Sequence, residues 1–259
     1  MSSVEIRKVT DKKGLKTFIE FHYELYKGNQ YDAPNLYSDE VHTLSKDKNA
    51  AFEFGEGEYF LAYKDNRLVG RVAAIINHRY NKQWERPAVR FGWLDLIDDA
   101  EVLRALLNAV ENYGREKGMK EIIGPLGFTD MDPEGMLTYG FDQLGTMATG
   151  YNYEYYPKLM EQMEGYEKDN DYVEYKLYVP KEGIPEKFKR VAEMTMKRYN
   201  LHCPDLKRSQ VFGPEQYGQK VLDVVNKTFG QLYGYSQMTQ RQKDEYVQMY
   251  FKFFSMDML

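Results

Sequence analysis

Apolar and charged residues alternate over residues 4–9 (Val4, Ile6, then Val9 one step out of phase), which predicts a half-buried strand. Leu15, Phe18, Ile19, Phe21, His22 and Leu25 then recur at helical spacing over residues 15–27, and Gly28 stands where a C-terminal cap belongs. A loop carrying Pro34 leads to a short helix near 38–45. Two strands follow, at 59–63 and 67–77. Lys64-Asp65-Asn66 joins them, and its Asp and Asn tolerate the positive φ angles of a tight hairpin. A further strand is predicted at 88–96, then an amphipathic helix over 100–117 with Leu103, Leu106, Leu107, Val110 and Gly114 on one stripe. Gly118 closes it, and a strand at 121–123 runs into Gly124-Pro125. Two more strands, at 146–153 and 171–179, are expected on either side of a helix at 157–164.

Pro180, Gly183 and Pro185 mark a boundary, dividing the chain into a first domain, 1–180, and a second, 181–259. Beyond it the pattern predicts a helix at 186–198, a strand at 200–208 and helices at 214–228 and 239–254. This strand-helix-helix order repeats that of the first fifty residues, so the second domain reads as an incomplete copy of one architecture. Phe253, Phe254, Met256, Met258 and Leu259 then have no following hairpin to pack against, the mark of a truncated copy.

Composition narrows the function classes. The 259 residues are 42% hydrophobic and 29% charged, enough apolar material for a packed core. A net charge of -5, with both signs scattered, offers no basic face for nucleic acid. The single Cys203 excludes an intrachain disulfide framework and a cysteine zinc cluster, and points to a cytoplasmic location. No apolar run is long enough to span a membrane, although peripheral membrane or lipid contact stays open. Of the 23 tyrosines several cluster between Tyr151 and Tyr178, where they line a cleft or wrap a small core.

The order of elements over residues 4–179 resembles the GNAT, or acyl-CoA N-acyltransferase, superfamily. Leu68-Val69-Gly70-Arg71-Val72 is similar to that family's third strand, and Phe91-Gly92-Trp93-Leu94-Asp95 with the 100–117 helix resembles the pair of elements that hold coenzyme A. The run Gly124-Pro125-Leu126-Gly127-Phe128-Thr129-Asp130, with Gly135-Met136-Leu137, Gly140-Phe141-Asp142, Tyr155-Tyr156 and Gly165-Tyr166, resembles a bacterial tandem-GNAT group that includes bacterial ceramide-synthase-like proteins. The resemblance implies an α/β fold: a mixed, mostly antiparallel sheet flanked by helices, followed by the start of a second GNAT-like domain. It also implies coenzyme A or acyl-CoA as co-substrate and an amine acceptor of lipid-like character. One departure stands out. The family's glycine-rich phosphate turn is replaced by Leu96-Ile97-Asp98-Asp99-Ala100-Glu101, whose three carboxylates would repel a pyrophosphate.

For catalysis, Tyr155 and Tyr156 lie where the resemblance implies a phenol that protonates the departing thiolate, and His78, at a strand end, could deprotonate an amine. Backbone N–H groups of the 91–95 strand (Phe91, Gly92, Trp93, Leu94, Asp95) would hold the cofactor and stabilise the oxyanion. The plainer readings are packing for the tyrosines and solvation for His78. Asp98 and Asp99 fit helix capping. No metal site is expected: Asp130, Asp132 and Glu134 alternate without an EF-hand pattern. Cys203 and His202 are adjacent and would point to opposite faces of a strand. The expected function is therefore transfer of an acyl group from acyl-CoA to an amine, with a non-catalytic GNAT-fold scaffold or binding module as the rival. An aromatic cleft for a peptide or sugar is a third reading, carried by the tyrosines alone.

Overall fold

The computed structural model describes residues 3–146, 148–252 and 255–256. The chain divides into two compact units, Met1–Asp169 with Val225–Gln242, and Asn170–Val224 with Lys243–Leu259.

The first unit is built on a five-stranded sheet in the order β1-β2-β3-β4-β5. Its strands are β1 (Glu5–Lys8), β2 (Gly55–Lys64), β3 (Arg67–Asn77), β4 (Ala88–Leu96) and β5 (Glu121–Ile123). All pairs are antiparallel except β4 with β5. This is the mixed, mostly antiparallel sheet expected from the sequence. Asp65 and Asn66 both adopt positive φ, 52° and 60°, and so close the β2–β3 hairpin with the twist its strands need. Helix α4 (Ala100–Glu116) buries Val102, Leu103, Leu106, Leu107 and Val110 against Val72, Ala74, Ile76, Val89 and Leu96 on one face. Helices α1 (Lys12–Leu25) and α2 (Tyr37–Leu44) cover the other face, where Phe18, Ile19 and Leu44 meet Tyr59, Leu61, Ala73 and Ile75.

One extra residue in β4 decides which side chains reach which face. Ala73 pairs with Gly92, but Arg71 pairs with Asp95, so three steps on β4 match two on β3. Trp93 absorbs the bulge at φ 45°. A regular strand would alternate faces without interruption. Here Phe91, Leu94 and Leu96 share the α4 face, while Trp93 and Asp95 turn to the α1 side. Beyond Arg90 the sheet opens: β5 pairs only with Ala88–Arg90, then leaves through Gly124 and a cis Gly124–Pro125 bond. Gly92 lies so close to this departing segment that a Cβ there would stand 2.5 Å from the Leu126 carbonyl oxygen.

Several elements differ from the sequence reading. Helix α3 (His78–Trp84), capped by the Asn77 side chain accepting from Tyr80 N at 2.8 Å, and a 3-10 turn at Ala50–Glu53 were not expected. The described residues of 146–153 form no strand. The Asn152 amide takes the place of a strand partner, accepting from Leu137 N at 2.7 Å and donating to Leu137 O at 3.0 Å. The helix near 157–164 begins earlier, as α5 (Tyr155–Met160). Residues 171–179 and 200–208 are not strands either, since no partner strand lies beside them among the described residues. Of the expected terminal apolar run, Phe253, Phe254, Met258 and Leu259 lie outside the described residues.

Residues 225–242 are stitched onto the first unit. Arg90, buried in β4, donates to Gly127 O at 2.9 Å and Gly234 O at 3.1 Å. Trp84 Nε1 donates to Tyr235 O, and Asn77 Nδ2 to Ser236 Oγ. The second unit carries α6 (Glu186–Tyr199), none of whose residues is buried, and α7 (Arg208–Phe212). Within that unit Lys243 pairs with Asp223 at 2.7 Å, and Gly218 fits under Val247. The remaining helices are α8 (Tyr217–Thr228) and α9 (Gln240–Tyr246).

The close approach at Gly92 makes Gly92→Ala a sharp test of the sheet opening, because the added methyl meets backbone and not a yielding side chain. Urea unfolding followed by circular dichroism should show a loss of about 1–3 kcal/mol. An unchanged midpoint would mean that β4 and the 124–126 segment are not in contact.

Candidate functional site

The β4 bulge delivers Asp95 into the sheet interior, 5% exposed. Three side chains converge on its carboxylate. Arg71, its register partner, donates from Nε and Nη2, both 2.7 Å from Oδ2. His22 Nδ1 lies 3.1 Å from the same oxygen. Tyr156 donates its hydroxyl to Oδ1 at 3.3 Å. The remaining valences are also filled: Arg71 Nη1 donates to Phe18 O, and the Tyr156 oxygen accepts from Tyr26 OH at 2.9 Å and Leu96 N at 3.0 Å. A buried ion pair persists only when such hydrogen bonds offset the lost hydration.

His22 ties this network to the loop after α1, its Nε2 standing 3.4 Å from Asp32 Oδ2. Burial alone would pull the imidazole pKa down, but the charge of Asp95 and hydrogen bonds to Asp32 and Asp95 override it and push the group up to about 9. Both ring nitrogens then donate, which requires the imidazolium. Asp95 is held below the usual carboxylate range although burial works in the opposite sense, because Arg71 and His22 face it.

A cavity of about 120 Å³ opens beside this network on the α1–α2 side. Asp32, Glu40 and Asp95 line it against Arg71 and His22, so carboxylates outnumber cations by three to two, and Tyr23, Trp93 and Tyr151 supply aromatic walls. Glu40 is buried and oriented by Asn35 Nδ2 at 2.9 Å and Trp93 Nε1 at 2.8 Å.

Of the residues singled out from sequence, Trp93, Leu94, Asp95 and Tyr156 line this cavity. Phe91 and Gly92 precede the bulge, where Phe91 O accepts from Leu126 N at 2.9 Å. Tyr155 donates its hydroxyl to Leu96 O at 2.6 Å and does not line the cavity. His78 opens α3, is about half exposed, and pairs with Glu56 at 3.0 Å, away from the cavity-lining residues. His22, Asp32, Glu40 and Arg71 escaped the sequence reading. Arg71 did leave a signal, a lone charge inside the apolar run 68–76.

Coenzyme A would need the start of α4 for its pyrophosphate. There the Asp99 carboxylate already accepts from Glu101 N at 2.9 Å and Val102 N at 3.4 Å, and Lys64 Nζ bridges Asp99 and Glu101 at 2.7 and 3.0 Å. The capping expected of Asp99 is thus observed, and these residues do not fit a pyrophosphate.

The sheet and its two helical layers make the α/β architecture, a mixed and mostly antiparallel sheet flanked by helices, that the sequence resemblance implied. No family model matches the chain. Two curated proteins are similar to it. Protein YghO of Escherichia coli (strain K12) is 25% identical over 237 residues, covering 92% of this chain and 59% of that protein. The Bacterial ceramide synthase of Caulobacter vibrioides (strain NA1000 / CB15N) is 27% identical over 228 residues, covering 87% and 58%. The chain therefore spans less than two thirds of the length of these relatives. Among solved structures, an aminoglycoside acetyltransferase from an uncultured soil metagenomic sample is matched over 68% of this chain and 97% of its own, at 14% identity and TM-score 0.42. The aminoglycoside acetyltransferase AAC(6')-Iy is matched over 68% and 99%, at 16% identity and TM-score 0.42.

The raised His22 pKa has a stability consequence with a definite sign. A group whose folded pKa exceeds its unfolded value stabilises fully below the unfolded value, near 6.5, and loses that contribution as pH rises through about 9. Urea midpoints should therefore fall between pH 6.5 and 9.5 by an amount worth up to about 3 kcal/mol. His22→Gln should remove most of that slope, and an equal slope in the variant would refute the doubly bonded imidazolium.

Proposed function

We propose that the protein works in the transfer of an acyl group from an acyl-CoA to an amine, and that the cavity beside Asp95 holds the amine acceptor. The observation that carries this reading is the cavity itself: recessed, net acidic and aromatic-walled, at the place where β4 and β5 part. An ammonium group is attracted there by Glu40 and Asp32 and by the faces of the surrounding rings. To attack a thioester the ammonium must first lose a proton. His22 already carries both ring protons, so a carboxylate, Asp32 or Glu40, is the group able to take it.

The name of one relative, a bacterial ceramide synthase, supports a lipid-like amine whose head enters the cavity while its tail stays outside. No helix among the described residues is long and apolar enough to cross a membrane, so contact with a lipid would be peripheral. The rival reading, a GNAT-fold binding module with a degenerate coenzyme A site, draws its support from Asp99 at the start of α4. The two readings meet in one scheme, in which this unit recognises the acceptor and the acyl donor is held elsewhere. A second, GNAT-like domain beginning after residue 180 would suit that division of labour, and a cytoplasmic location accords with one exposed free Cys203.

The test is calorimetric titration of alkyl amines and long-chain amino alcohols against matched alcohols that lack nitrogen. Amines should bind in preference, and Glu40→Gln or Asp32→Asn should weaken them by about tenfold, the effect of one charge-assisted contact. Equal binding of amines and alcohols, or indifference to both substitutions, would sink the reading.

A further inference from the structure

Where β4 runs on past Arg90, its outer edge has no strand beside it among the described residues, and an exposed sheet edge is a template for any extended ligand. That edge is not free here. At Leu96 the N–H donates to the Tyr156 hydroxyl at 3.0 Å, and the C=O accepts from the Tyr155 hydroxyl at 2.6 Å. Both polar groups of the residue are thus closed by two consecutive side chains of one short helix. The helix start next to this edge is closed in the same manner, since Asp99 takes the amides of Glu101 and Val102 together with the Lys64 ammonium.

We infer that the coenzyme A slot of this unit is filled by the chain itself, with the Asp99 carboxylate in the place of a phosphate and the Tyr155 and Tyr156 hydroxyls in the place of an extended ligand along β4. Tyr155 and Tyr156 are then positioning residues for the sheet edge. Their protons are committed, one to Leu96 O and the other to Asp95 Oδ1, so neither is available for a departing thiolate.

The filling is braced. The rings of Tyr26 and Tyr153 stack at 4.8 Å, those of Tyr153 and Tyr155 at 5.5 Å, and Tyr155 leans on Tyr156 at 5.0 Å. Tyr153 is itself tied to Leu25 O through its hydroxyl. Withdrawing either hydroxyl from Leu96 would therefore disturb a ladder of rings that also carries α1. An arriving anion would meet Asp98, Asp99 and Glu101 against the single Lys64 of that cluster.

The inference goes beyond the acceptor reading, and its test reads different residues, so failure of one leaves the other intact. Coenzyme A and adenosine 3′,5′-bisphosphate, as a probe for the nucleotide phosphates, are titrated into the full chain to ~1 mM, the top of the usual substrate range, while the amides of Glu101, Val102 and Leu96 are followed by NMR. The expected result is no saturable shift at these three amides. Saturable shifts there on addition of coenzyme A would overturn the inference. Hydrogen exchange supplies a second, independent reading: Tyr156→Phe should speed exchange of the Leu96 amide by ~tenfold, the loss of one hydrogen bond, with the fold intact by circular dichroism. An unchanged Leu96 rate in that variant would equally overturn the assignment of Tyr156 to the sheet edge.

Discussion

A carboxylate withdrawn from water must find its counter-charge inside the protein, and the need to neutralise Asp95 organises the first unit. Its register partner Arg71 supplies one cation and His22 the other, so β3, β4 and α1 are fixed to one another by charge as well as by packing. The cost of burying these ions is offset only because each also finds uncharged partners, Phe18 O for the guanidinium and the Tyr156 hydroxyl for the carboxylate. Asp32 enters the same circuit through His22, which joins the loop after α1 to the centre of the sheet.

The bulge at Trp93 makes this circuit available to a ligand. Without the extra residue, strand alternation would carry Asp95 to the α4 face, away from Arg71 and His22, and bury its charge among Leu103, Leu106 and their apolar neighbours. With it, the carboxylate faces a cavity next to Glu40 and the rings of Tyr23 and Trp93. The same strand thus separates two regions of opposite character. One side offers a recessed acidic pocket, and the edge beyond Arg90 is closed by hydroxyls and an N-capping carboxylate. That asymmetry is what supports the proposed division between acceptor recognition here and donor binding elsewhere.

Apart from α3 and the 3-10 turn at Ala50–Glu53, the layout of the first 123 residues was legible because it is local. Helical stripes such as Leu103, Leu106, Leu107 and Val110, and the Asp65-Asn66 turn, carry their own periodicity and φ preferences in the sequence. Asp99 as a cap was legible for the same reason. Past Pro125 the helices stay legible, the one expected at 186–198 appearing as α6 and the one at 214–228 as α8, but the expected strands do not form. Residues 146–153 have strand-like composition, yet the Asn152 side chain satisfies the backbone that a strand partner would have taken, a contact between positions fifteen apart that no pattern announces. A part of the cavity lining, Trp93, Leu94, Asp95 and Tyr156, lay among the residues singled out from sequence. His22 was assigned to the apolar stripe of α1, and Asp32 and Glu40 were not singled out, because only the bulge brings Asp95 round to meet them.

The stitching of residues 225–242 onto the first unit has a consequence for how the protein is made. Arg90 in the middle of the sheet finds one of its carbonyl partners 144 residues further along the chain, at Gly234. At the usual pace of translation that interval is roughly ten to thirty seconds, far longer than a hairpin or helix takes to form. Through that time the nascent sheet holds a guanidinium in an apolar setting with its coordination incomplete, and Trp84 and Asn77 wait for Tyr235 and Ser236 in the same way. The first unit therefore cannot complete these contacts until residues 234–236 have been made, after residues 170–224 of the second unit.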